Sequence, residues 1–131
     1  MQLGTILIID DDHLIQEMLK FKMQEHKIKT IHSYTISQAN NIIKQKVPDL
    51  IMLDILLPGI NGLEFLSYLK FSLLELHTPV ILMSVLKNEE VKELGFKLGA
   101  KEYFFKPLNF DHLISSVKKH IKNANEESVF I

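Results

Sequence analysis

Three short runs of apolar residues limit what this chain can fold into: residues 6–9 (ILII), 50–57 (LIMLDILL) and 80–83 (VILM). They are continuous rather than alternating, as expected of parallel strands covered on both faces. A weaker alternating run, KIKTIH at 27–32, reads as a strand nearer an edge, and EYFFK at 102–106 as a fifth strand. Between them lie stretches of helical period. Residues 13–25 place Leu14, Met18 and Phe21 on one face, with Ile15, Leu19 and Met23 close by. Residues 35–46 offer Ile36, Ala39, Ile42 and Ile43, and residues 61–74 offer Leu63, Leu66, Leu69 and Leu73. Residues 88–98 (Val91, Leu94, Leu98) and 109–122 (Phe110, Leu113, Val117, Ile121) complete the series. A strand–helix unit repeated five times predicts an α/β fold: one parallel sheet with helices on both faces and right-handed crossovers.

Punctuation supports this division. Pro48 and Pro79 precede strands, LPGING at 57–62 reads as a turn-rich loop, and Gly99 suits the end of the fourth helix. The 131 residues suffice for one domain with a sizeable core. The tail NANEESVFI, residues 123–131, reads as a frayed end or a cut linker. A net charge of −1 gives no global field for nucleic acid or an anionic membrane. All fifteen basic residues are lysine, so the arginine fork favoured in base-edge recognition is missing and direct nucleic-acid binding by this chain is not expected. There is no cysteine for a disulfide or thiolate metal site, no signal-like start and no membrane-length apolar run. The expectation is a cytoplasmic domain.

In open α/β sheets, sites form at the carboxyl ends of the strands. The polar residues there are Asp10–Asp12, Asp54, Ser84 and Lys106. Asp54 interrupts an apolar strand, where a lone carboxylate is costly unless it is paired. It reads either as a structural aspartate paired with Lys106 or as a nucleophilic or metal-binding group. Asp10 and Asp11 can face Asp54 if the first and third strands are neighbours. Three clustered carboxylates repel unless a hard cation intervenes, and Mg²⁺ (or Mn²⁺) suits such oxygen ligands. Asp12 is better placed to cap the first helix. Ser84 reads as a strand-end hydrogen bonder, Lys106 as a phosphoryl-neutralising charge or a salt-bridge partner, and Lys106–Pro107 as a candidate cis peptide.

Together, ILIIDDD, PDLIMLDILLPGINGLEFL, TPVILMS and GAKEYFFKP resemble, in order, the receiver domain of two-component response regulators. The resemblance spans about residues 5–122, so residues 1–122 are assigned as the domain. It implies a flavodoxin-like, doubly wound sheet in strand order 2-1-3-4-5 with five helices. It makes Asp54 the phosphoacceptor for a phosphohistidine on a sensor kinase or histidine phosphotransfer protein. Asp11 would be a direct metal ligand, Asp10 would act mostly through a metal-bound water, and the Leu56 carbonyl would be a further ligand. Ser84 and Lys106 would bind phosphoryl oxygens. Tyr103 matches the switch aromatic and is expected to fill space that Ser84 vacates, reshaping the face of the fourth helix, fifth strand and fifth helix. A homodimer through that face would have to use lysines such as Lys97, Lys118 or Lys119.

Three positions depart from the family pattern or tune it. Val85 stands where a very small residue is usual, and Leu56 and Leu86 are apolar. Val85 is expected to slow phosphotransfer or restrict donors, and Leu56 and Leu86 are expected to hinder attacking water and prolong the acyl phosphate. Two other readings compete. A haloacid-dehalogenase-like phosphatase would use Asp10 and Asp12 as its Asp-x-Asp pair, but leaves Asp54 unexplained. A flavodoxin-like nucleotide binder needs a small or Gly-rich loop after the first strand, where this chain has DDDH.

Overall fold

A computed structural model describes residues 2–72 and 77–129. The elements alternate as predicted: β1 (Gly4–Ile9), α1 (His13–Glu25), β2 (Ile28–Ser33), α2 (Ile36–Gln45), β3 (Leu50–Asp54), α3 (Gly62–Ser72), β4 (Val80–Ser84), α4 (Glu89–Lys97), β5 (Glu102–Phe105) and α5 (Phe110–Val129). All strand pairs are parallel, and the order is β2-β1-β3-β4-β5. The alternating β2 is an edge strand, and the continuous β1, β3 and β4 lie inside.

The pleat divides the apolar strand residues between two cores. Leu7, Ile9, Ile51, Leu53, Val80 and Leu82 face Ala39 and Ile43 of α2, Leu66 and Leu69 of α3, and Val91 of α4. Ile6, Ile8, Leu50, Met52, Ile81 and Met83 face Leu19 and Met23 of α1 and Leu113, Val117 and Ile121 of α5. Burial on both faces is why these strands carry no polar alternation. The order in which strands are added reverses between β1 and β3, so their carboxyl ends flank the crevice where such sheets build sites. The register sets Ile9 against Leu53 and Asp54 against Met83, which brings Asp10, Asp54 and Ser84 to one rim.

Two expectations change. Leu14, Met18 and Phe21 of α1 do not enter the core; they are 69%, 42% and 64% exposed. At about 100° per residue they lie opposite the face that does, which carries Gln16, Leu19 and Met23. Strand β3 stops at Asp54, the strand end expected within the longer apolar run 50–57, and Leu56 N–H turns back to the Asp54 carboxylate. The fifth helix continues past 122 to Val129, through most of the polar stretch read as a tail. Leu73, assigned to the third helix, and residues 130–131 lie outside the described residues. Among the described residues no helix is long and apolar enough to cross a membrane.

Candidate functional site

Asp10 leaves β1 fully buried, and each of its polar atoms is held. Its N–H donates to Ser33 O at 3.1 Å, Oδ1 accepts Asp12 N–H at 2.9 Å, and Oδ2 accepts Lys106 Nζ at 2.7 Å. Asp12 turns away and caps α1, accepting the N–H groups of Leu14 (2.9 Å) and Ile15 (3.3 Å). The neighbouring Asp11 is exposed. Adjacent aspartates thus take three different positions.

Asp54 is almost fully buried at the end of β3. Its Oδ1 accepts Leu56 N–H at 3.1 Å and its Oδ2 accepts Lys106 Nζ at 3.1 Å. Burial, and then the Asp10 charge, push its pKa up to about 6, against the pull of Lys106 and the Leu56 N–H. Burial alone would lower the pKa of Lys106; hydrogen bonding and charge from Asp10 and Asp54 outweigh it and hold the ammonium above its ordinary range. Lys106 is placed by its N–H, which donates to Ser84 O at 2.8 Å, and it precedes a cis peptide to Pro107, as expected.

Asp10, Asp11 and Asp54 each offer one carboxylate oxygen, and the three oxygens lie within 4.8 Å of one another. One ammonium against three carboxylates leaves an excess of about two negative charges. A divalent hard cation would balance that excess, and oxygen-only donors with one exposed member suit Mg²⁺, which keeps several of its waters. The residues therefore fit the ion.

Ser84 is fully buried, with its Oγ accepting Leu86 N–H at 3.1 Å. The hydroxyl of Tyr103 donates to Leu86 O at 2.8 Å, and its ring is only 8% exposed, edge-on to Phe105. The aromatic ring therefore lies in the interior beside the 84–86 loop. Leu56 and Val85 are exposed apolar residues on the rim loops, whereas Leu86 packs against the core.

The geometry agrees with the comparisons. The response regulator receiver domain model matches residues 6–118. The chain belongs to the response regulator receiver family. This receiver domain is 35% identical over 128 residues to a probable cyclic di-GMP phosphodiesterase of Vibrio cholerae, covering 97% of this chain and 29% of that protein. It is 33% identical to the phosphate regulon transcriptional regulatory protein PhoB of Pseudomonas aeruginosa, covering 92% of this chain and 52% of that one. The receiver domain of the Francisella response regulator 1452 superposes with a TM-score of 0.86 at 32% identity, covering 92% of this chain and 98% of that one. The chain thus spans about half or less of the length of these two curated relatives. The phosphatase and nucleotide-binder readings fall away, because the receiver-domain model matches nearly the whole chain and the acidic cluster is typical of a receiver's phosphorylation site.

One pair at this rim has no signal in the sequence. Gln16, in the middle of α1, is fully buried and hydrogen-bonded to the carbonyl of Asp10, and His32 of β2 is bonded to Gln16. A glutamine within a helix and a histidine within an edge strand ordinarily read as surface residues.

Proposed function

We propose that this receiver domain accepts a phosphoryl group on Asp54 from a phosphohistidine of a partner kinase or phosphotransfer protein, with Mg²⁺ (or Mn²⁺) held by Asp11, Asp54 and, through water, Asp10. The observation that carries the reading is the Asp10–Lys106–Asp54 arrangement: one ammonium bridges two buried carboxylates beside an exposed third. The Leu56 carbonyl is assigned as a further ligand by its place after Asp54. The cation, when bound, neutralises charge on the transferring group. In the transfer the P–N bond to the donor imidazole breaks and a P–O bond to an Asp54 carboxylate oxygen forms. Lys106 is within reach of the incoming phosphoryl oxygens once Asp54 shares it, and positioning with charge neutralisation is the greater part of such catalysis.

The donor has to cover the rim that holds Asp54. The exposed stripe Leu14, Met18 and Phe21 runs along α1 from the first residues after the Asp12 cap, and an apolar helix of the donor would bury it. On the output side, Ser84 exchanges the Leu86 N–H for a phosphoryl oxygen. Because Tyr103 holds the carbonyl of the same Leu86, that exchange couples movement of the 84–86 loop to the Tyr103 ring and passes to α4, β5 and α5. The same face is where a homodimer would form, with Lys97 and Lys119 among its cations; Lys118, the third lysine expected there, instead turns its ammonium to His26 at the end of α1, 2.9 Å away.

The test is chemical. Incubation with acetyl phosphate and Mg²⁺ is expected to give a protein-bound phosphate released by hydroxylamine, as an acyl phosphate is, and EDTA is expected to prevent its formation. A phosphate stable to hydroxylamine would contradict the proposal.

A further inference from the structure

Gln16 is a fully buried polar group that phosphoryl transfer leaves unused. Its Nε2 lies 3.0 Å from Ile8 O, 3.1 Å from Asp10 O and 2.9 Å from Ser33 O. Ser33 O also accepts the N–H of Asp10. Two amide hydrogens are therefore shared among three carbonyls, and one side chain clasps the ends of β1 and β2. Its other end is equally determined. A carboxamide oxygen only accepts, so His32 Nδ1, 2.5 Å away, must carry the hydrogen. The remaining His32 nitrogen, Nε2, accepts from Thr30 Oγ1 at 2.7 Å. Burial, and then the charge of Lys20, lower the pKa of His32 despite the opposing Glu17, so the ring is neutral near pH 7 and this tautomer persists. Were the carboxamide reversed, its oxygen would face three carbonyl oxygens and its NH₂ would face an N–H donor.

We propose that His32 and Gln16 are positioning residues for the cation-binding half of the site: the Thr30–His32–Gln16 chain orients the carboxamide, and the carboxamide fixes the backbone of Asp10. This rests on the reading of the acidic rim as a Mg²⁺ site. The Asp10 carboxylate is aimed by contacts at both ends of the residue, Gln16 and Ser33 on the backbone, Asp12 N–H and Lys106 on the side chain. Loss of the backbone contact lets the carboxylate drift relative to Asp11 and Asp54. Partners of this kind that hold a ligand in place commonly alter metal affinity 10- to 100-fold, by about an order of magnitude or more.

The test is a Mg²⁺ titration by calorimetry on the full chain in four forms: wild type, Gln16→Met, His32→Phe and the double variant, each checked for folding by circular dichroism. Gln16→Met is expected to weaken Mg²⁺ binding about tenfold. His32→Phe is expected to weaken it severalfold. The double variant is expected to bind no more weakly than Gln16→Met, because His32 acts only through Gln16. A purely structural role would lower the melting temperature and leave the affinity of the folded protein unchanged. Folded single variants that keep wild-type affinity would overturn the proposal, as would His32→Phe weakening binding equally in both backgrounds. Should Gln16→Met not fold, His32→Phe and the ¹⁵N resonances of the wild-type His32 ring decide. Those resonances are expected to show the Nδ1–H tautomer and to shift on adding Mg²⁺, and an Nε2–H tautomer or an unchanged ring would refute it. A wild type that binds no Mg²⁺ would bring down the function proposed above as well; normal wild-type binding with unaffected variants removes this inference alone.

Discussion

At the scale of single residues, the site is a balance of charge against burial. Asp54 carries its negative charge where water is largely excluded and Asp10 repels it, which is why its pKa rises to about 6 from an ordinary 3.8. The sign of the consequence is fixed. Between about pH 4 and pH 6 the folded state keeps a proton that the unfolded chain has released, so ionisation of Asp54 lowers stability as pH rises through that window. In the metal-free protein, Asp54→Asn is therefore expected to raise urea stability at pH 7.5 by on the order of 1–3 kcal/mol, with no gain at pH 3.5. A variant that is less stable at pH 7.5 would contradict this. Two other residues bear on how long a phosphoryl group survives. Leu56 is exposed beside Asp54, and Leu86 is partly buried against the core. Leu56→Asn is expected to shorten the lifetime of the acyl phosphate by admitting water, measured as phosphate release. Leu86→Glu is expected to shorten that lifetime too and to lower stability by setting a charge against the core. An unchanged lifetime in Leu56→Asn would remove the role given to the apolar rim.

At the scale of elements, the inner strands were legible because burial on both faces leaves a continuous apolar run, and the polar residues Asp10, Asp54 and Ser84 mark where β1, β3 and β4 stop. Helix α1 was harder to read. It carries two apolar stripes on opposite faces, and the choice between them depends on Gln16, whose carboxamide must reach the carbonyls at the ends of β1 and β2. Nothing in residues 13–25 alone reveals that requirement. Tyr103 is a similar case: its place in the family pattern was visible, but its inward position depends on the carbonyl of Leu86 in another loop. The outward stripe of α1 leads to a measurable separation. Met18→Lys with Phe21→Glu is expected to slow phosphoryl transfer from a phosphohistidine protein at least tenfold while leaving the reaction with acetyl phosphate within about twofold of wild type. Equal loss with both donors would show that the stripe serves the fold or the site rather than a docking partner.

At the scale of the whole molecule, the strand order does the positioning. Placing β3 beside β1 brings Asp54 level with Asp10, and placing β5 beside β4 returns Lys106 across the rim to bridge both carboxylates. Three distant segments thereby converge with only short loops between strand ends and ligands. The order itself was legible only through the resemblance of four separate motifs, because apolar runs specify strands but not their neighbours. The central claim is that this convergence makes Asp54 the residue that is phosphorylated. Intact-mass spectrometry after incubation with acetyl phosphate and Mg²⁺ tests it most directly. Wild type is expected to gain the mass of one phosphoryl group and Asp54→Asn to gain none; the same gain in the variant would contradict the claim.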